Sequence, residues 1–294
     1  MPELPDITIY VERLEALIVG QSLQELDVRN LFILRSVTPA PADLAGRRVT
    51  EIRRMGKRIV IGFDGDAFVV LHLMIAGRLR WRAPGKKPPG KIALAAFVFA
   101  GGTLFFTEAG STRRASMHLV QGAGGLDDFD RGGLEVLDSS VAAFGERLTS
   151  ENHTLKRALT DPRLFSGIGN AYSDEILHRA RLSPLLLTSK LDREQVARLH
   201  SATLATLREW TDRLRSAVGE GFPEEVTAFH DQMAVHGRFG LPCPVCGSAV
   251  QRIRYATNET NYCARCQTGG RLLADRALSR LLKQDWPRSI DELD

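Results

Sequence analysis

All four cysteines of this 294-residue chain fall between Cys243 and Cys266, as two C-x2-C pairs, Cys243/Cys246 and Cys263/Cys266, with sixteen residues between the pairs. A disulfide framework for a chain of this length would spread its cysteines, whereas two C-x2-C turns joined by a hairpin bring four thiolates to one Zn²⁺. Four thiolates close the coordination shell, so the ion is expected to order backbone and not to activate water. The segment between the pairs carries Arg252, Arg254, Asn258 and Asn261, side chains suited to phosphate and groove contacts. Zinc hairpins of this kind serve many unrelated proteins, transcription and translation modules among them, so the rest of the chain has to decide.

Ahead of the hairpin the patterning changes twice. Ile7, Val11, Leu14 and Ile18 recur at spacings of four, three and four, one face of a short helix over residues 7 to 18. From about residue 22 to 120 the pattern is that of strands, with apolar runs on either side of Asp64-Gly65 and of Gly101-Gly102 that read as hairpins. Residues 84 to 91 and 121 to 133 read as exposed loops, the second a hinge between halves. From about 140 to 232 the pattern is helical, clearest over 191 to 217, where Leu199, Ala202, Ala205, Leu207, Trp210 and Leu214 form a core-facing stripe. The fold class expected is α+β, a β-sandwich followed by a helical domain.

The formal charge of +4 and a pI of about 9.0 lean toward a polyanionic partner. No stretch of about 18 apolar residues occurs, and Glu3, Asp6, Glu12, Arg13 and Glu15 crowd the first twenty positions. Neither a membrane span nor a secretory signal fits, and a cytoplasmic protein is expected.

Four features stand in order along the chain: MPELPD at the start, Lys57 in RRMGKRIVIGF, SGIGNAYSDEIL around Asn170, and the cysteine hairpin. In this order and spacing they resemble the Fpg/Nei DNA glycosylases over nearly the whole chain. The resemblance implies a β-sandwich catalytic domain (1–133), a helical helix-two-turns-helix domain (134–232), a zinc-finger hairpin (233–270) and a C-terminal helical tail (271–294). It also implies one structural zinc, no small-molecule cofactor, damaged double-stranded DNA as partner, and a monomer that closes on one duplex.

It further assigns roles. Pro2 would be the nucleophile once Met1 is removed, as the small proline side chain normally permits. An α-amino group is about 10–30% free base near neutral pH, where a lysine is about 0.1%. Attack on C1′ of the deoxyribose expels the damaged base and leaves an iminium, the electron sink for eliminating the 3′ and then the 5′ phosphate. Glu3 would handle protons on the opening sugar, although a carboxylate at a helix start also has a plain electrostatic use. Lys57, on a strand near the start of a hairpin, would hold a phosphate or assist base departure. Gly167 and Gly169 allow a turn whose amides approach a phosphate, Asn170 opens the next helix, and Lys156, fourteen residues earlier, would contact another phosphate. The wedge that fills the space of the extruded nucleotide falls on Ile75, with Met74 beside it.

Two departures mark a divergent branch. The family's DPRRFG appears as TEAGSTRRASMHL, keeping Arg113 and Arg114 without the aromatic that follows them. The family's phosphate-gripping arginine, five residues before the third cysteine, is Asn258 here. A neutral amide cannot make a bidentate ionic contact, so either Arg252 or Arg254 substitutes or the DNA is gripped differently. These losses keep a second reading open, a protein that binds damage or abasic sites with weakened or absent glycosylase chemistry.

Overall fold

The computed structural model describes residues 1–110, 112–224, 230–255, 258–273 and 287–292. The chain forms two compact units, Met1–Arg131 with Trp210–Ala228, and Gly132–Glu209 with Phe229–Asp294. A single cut near residue 133 is therefore too simple, because the end of the long helix and the segment after it join the first unit. Their attachments are specific: Arg215 pairs with Glu12 at 2.7 Å, and the Phe222 ring lies 5.7 Å from that of Tyr10.

The first unit opens with α1 (Leu4–Ile18), three residues earlier than the apolar spacing indicates. Pro5 pre-sets φ in the first turn, and the Asp6 carboxylate accepts the Glu3 N–H at 2.8 Å, satisfying a donor that helix starts leave unpaired. Eight strands follow: β1 (Glu25–Val28), β2 (Val49–Met55), β3 (Arg58–Phe63), β4 (Ala67–His72), β5 (Gly77–Arg82), β6 (Ala93–Phe99), β7 (Gly102–Glu108) and β8 (Ser116–Gln121). They make two antiparallel sheets, β1-β6-β7-β5 and β2-β3-β4-β8. One core takes Ile7 and Leu14 from α1, Phe97 and Phe106 from the first sheet, and Ile59, Leu71 and Met117 from the second. This is the expected sandwich, with α1 built into its interior.

Both predicted hairpins form, with loops that differ from the simplest reading. Phe63 pairs with Ala67 across the three residues Asp64-Gly65-Asp66, and Phe99 pairs with Gly102 across Ala100-Gly101. Residues 121 to 133 are not simply an exposed loop. A 3-10 helix, Ala123–Phe129, seats Leu126 and Phe129 on Val60, Phe68, Val70 and Val120. The physical reason is that β3 and β4 are apolar on both faces, so the outer face also needs a cover.

The second unit contains α2 (Val141–Thr149), α3 (Leu155–Thr160), α4 (Asn170–Arg179) and the first part of α5 (Arg193–Val218). Ser140 and Thr154 cap α2 and α3 by accepting the N–H groups of Ala143 and Arg157. Leu199, Ala202, Leu207 and Trp210 of the predicted stripe are buried, while Ala205 is exposed. After them come β9 (Gln251–Arg254) and β10 (Glu259–Tyr262), an antiparallel pair, and the short α6 (Ala264–Thr268). Of the predicted tail helix, Leu272 packs with Ile253 and Tyr262; Leu278, Leu281 and Leu282 lie outside the described residues. No described helix is long and apolar enough to cross a membrane.

Candidate functional site

In the first unit the chain start is folded inward. Pro2 is buried, and Glu3 and Asp6 are each only 2% exposed. The α-amino group at Met1 is held below its ordinary value, first by burial, against the pull of Glu3, with Arg78 pushing it further down and then Asp6 and Lys57 acting in opposite senses. Two carboxylates and two cations thus surround the chain start. Burial raises the Asp6 carboxyl to about 7, and its Oδ1 has no hydrogen-bond partner while Oδ2 accepts the Glu3 N–H. Sequence alone does not mark Asp6 and Arg78 as site residues. Asp6 looks like a routine helix-start carboxylate, and Arg78 is one of several arginines alternating along β5.

Lys57, whose charge acts on the chain start, stands in a turn and not on a strand. Met55 pairs with Arg58 across Gly56-Lys57, and Gly56 takes the positive φ of +60° that the first position of such a two-residue loop requires. The wedge candidates sit on the turn between β4 and β5. The Gly77 N–H donates to the Leu73 carbonyl, and a Cβ at Gly77 would lie 2.2 Å from that oxygen, so only glycine closes the turn. Arg78 donates to the carbonyls of Ile75 and Gly77 and pins it further. Ile75 is 59% exposed at the tip, whereas Met74 is half-buried with a φ of +53°. Arg113 and Arg114 lie on a loop organised by Glu108, a buried residue not singled out from sequence, whose carboxylate accepts the N–H groups of Arg114 and Ala115 at 2.9 and 3.2 Å.

In the second unit, α3 and α4 are joined by the turns that carry Gly167 and Gly169. Lys156 points inward. Its Nζ donates to the Asn170 carbonyl (2.7 Å), Ser173 Oγ (2.8 Å) and Asp174 Oδ1 (2.5 Å), which occupies all three of its donors. Asp174 is fully buried; its Oδ2 also accepts from His236 Nδ1 at 2.8 Å and from the Asn261 N–H at 3.1 Å. Glu175 accepts the N–H groups of Ala234, Val235 and His236. Asn170 donates through Nδ2 to the Glu259 carbonyl at 3.0 Å. The start of α4 is therefore bonded to the β9–β10 hairpin, an arrangement with no spacing signal in the sequence.

On that hairpin Arg252 is committed to local contacts: its guanidinium lies 4.1 Å from the centre of the Phe239 ring and pairs with Glu259 at 3.3 Å. Arg254 and Asn258 are exposed near the hairpin tip, where the Tyr255 N–H donates to the Asn258 carbonyl. Below them the sulfurs of Cys243, Cys246, Cys263 and Cys266 all lie within 4.8 Å of one another, with Cys243 and Cys266 3.9 Å apart. Zinc with bonds of about 2.3 Å to four tetrahedral sulfurs needs sulfur separations near 3.8 Å, so the four fit one structural Zn²⁺.

A sandwich with an inward-folded chain start, a helix-two-turns-helix and a four-cysteine hairpin define the zinc-bearing DNA glycosylase class. Three family models match in succession: the formamidopyrimidine-DNA glycosylase N-terminal domain over residues 1–114, its H2TH domain over 133–218, and a zinc finger found in FPG and IleRS over 240–269. A formamidopyrimidine-DNA glycosylase from Thermus thermophilus is 33% identical over 282 residues, covering 92% of this chain and 100% of the relative. An uncharacterized formamidopyrimidine-DNA glycosylase-like protein from Mycobacterium tuberculosis is 42% identical over 151 residues, 51% of this chain and 94% of its own length. Among solved structures, the MutM (Fpg) protein from Thermus thermophilus superposes with a TM-score of 0.76 at 32% identity, over 90% of this chain and 98% of that one. Lactococcus lactis Fpg bound to DNA containing an abasic site gives 0.79 at 24% identity, over 90% and 99%, a likeness of fold. The chain belongs to the formamidopyrimidine-DNA glycosylase (Fpg/Nei) family.

Proposed function

We propose that the protein is a base-excision repair enzyme that removes damaged bases from double-stranded DNA and cleaves the strand at the resulting abasic site, with the Pro2 nitrogen as nucleophile. The observation that carries this reading is the buried chain start beside Glu3, Asp6, Lys57 and Arg78, whose α-amino group burial keeps below its ordinary value. Loss of Met1 turns the Pro2 amide into a secondary amine, and desolvation then favours its neutral, nucleophilic form.

The amine attacks C1′ and the bond to the base breaks. Lys57 or water supplies the proton that the departing base takes, and Glu3 passes the proton lost by the amine to the ring oxygen as the sugar opens. With the iminium as electron sink, Glu3 or water takes the C2′ proton as the 3′ phosphate leaves, a second elimination releases the 5′ phosphate, and water hydrolyses the remaining iminium to free the Pro2 amine. Lys57 supports the phosphate or the departing base. Ile75, exposed on a pinned turn, fills the vacated stack, with half-buried Met74 beside it in the chain. Gly167 to Asn170 presents main-chain amides to a phosphate, and Lys156 acts through the backbone that it holds. Arg254, exposed near Asn258, takes the anionic contact in place of Arg252. Arg113 and Arg114 contact the strand opposite.

The test is strand scission of a duplex carrying one abasic site by protein whose intact mass shows Met1 removed. Products ending in phosphate on both sides of the gap are expected. Tight binding without scission, unchanged by Pro2→Gly, would establish the second reading, a damage- or abasic-site-binding protein, which Asn258 and the missing aromatic after Arg114 favour.

A further inference from the structure

Asn170, Asp174, Glu175 and His178 follow one another along α4; the first, second and fourth recur every four residues on one face, and Glu175 lies at its margin. The first three bond to the segments around the zinc hairpin. The fourth reaches a metal ligand itself: His178 Nε2 lies 3.3 Å from Cys243 Sγ, and both residues are buried. A zinc-bound thiolate carries no proton, so a bond at this distance has the imidazole as donor, which fixes the ring with its proton on Nε2.

Burial alone does not call for an imidazole here. Cys243 packs among Val235, Val250 and Cys263, where a phenyl ring would fill space without the cost of desolvating two ring nitrogens. Four thiolates around one Zn²⁺ leave a net charge of about −2 in this apolar setting, and a donor aimed at sulfur withdraws part of it. Groups that bond to metal ligands hold those ligands in position and tune how firmly the metal is bound.

We infer that His178 is an outer-sphere donor to the zinc-bound Cys243 thiolate, a positioning residue that tightens the metal site and locks the hairpin to α4. The inference stands on the zinc centre and is independent of the nucleophile assigned above.

The test uses zinc-loaded, full-length protein and follows metal transfer to an excess of chelator with a zinc-responsive dye. His178→Phe keeps a ring of similar size and removes the donor; zinc loss about 10–100-fold faster is expected. His178→Gln, whose amide nitrogen reaches to a similar place, is expected to restore most of the retention. Release from the Phe variant at the parental rate overturns the inference, and so does a folded Gln variant that loses zinc as fast as the Phe variant. A measurement on the unsubstituted protein covers the case in which His178→Phe does not fold. With NMR-active cadmium in place of zinc, scalar coupling from the metal through sulfur to the His178 Nε2 proton is expected. A ring protonated on Nδ1, with no such coupling, overturns the inference.

Discussion

At the scale of single residues, Asp6 gives a pH signature. Its carboxyl is raised by burial from 3.8 to about 7, so between those values the folded protein keeps a proton that the unfolded chain has released. The unfolded state then binds fewer protons, and stability falls as pH rises through that window before levelling above about 7. Asp6→Asn retains an acceptor for the Glu3 N–H and removes the ionisation. Urea denaturation from pH 4 to 8 is expected to show the parent losing stability across the window and the variant holding nearly level, ending above the parent at pH 8. Parallel curves would contradict a buried, half-unpartnered carboxyl. Ile75 gives a functional signature: Ile75→Ala should change stability by no more than about 0.5 kcal/mol, as exposed positions do. It should slow excision of a stacked base more than scission at a preformed abasic site, since only the former needs full extrusion. Equal losses on both substrates would remove Ile75 from the wedge.

At the scale of elements, α4 is the beam to which the zinc hairpin is tied, and Lys156 is its internal anchor. Removing one member of a buried, hydrogen-bonded ion pair leaves the other charge stranded, typically at a cost of about 3–5 kcal/mol. Lys156→Met should therefore destabilise the protein by an amount in that range in urea denaturation, as well as weakening DNA binding. A change below about 1 kcal/mol would show that the ammonium faces solvent. This network also marks where sequence reading stops. The cysteine spacing, the α1 stripe and the two hairpins were legible because each is a local periodicity or a fixed interval. The bonds from Asp174 to His236 and Asn261 join residues 62 and 87 positions apart, and no interval encodes them. Residues 121 to 133 misled for a different reason: glycines and aspartates there read as solvent-exposed, yet two apolar residues among them, Leu126 and Phe129, cover the outer face of a sheet.

At the scale of the whole molecule, the motifs around Pro2, Lys57, Asn170 and the cysteines were legible because they occur in family order, while the second crossing between units, after residue 209, was not. The return of residues 210 to 228 to the first unit depends on pairs such as Arg215 with Glu12, which are set by the fold and not by the chain order. With a formal charge of only +4, affinity for DNA has to come from individually placed cations and not from bulk charge. Binding to an abasic-site duplex, measured as a function of salt, should therefore lose about one unit of slope in Arg254→Ala. Little change is expected in Arg252→Ala, whose guanidinium is already held by Glu259 and Phe239. The reverse ranking would place the missing family arginine's contact on Arg252.

The most direct test of the nucleophile is borohydride reduction of a mixture of the Met1-processed protein and abasic-site DNA, followed by proteolysis and mass spectrometry of the crosslinked peptide. The adduct is expected on the amino-terminal peptide, attached at the nitrogen of Pro2, and to vanish when that nitrogen is acetylated. An adduct carried by a lysine side chain, or none from protein that binds the same DNA, would contradict the mechanism.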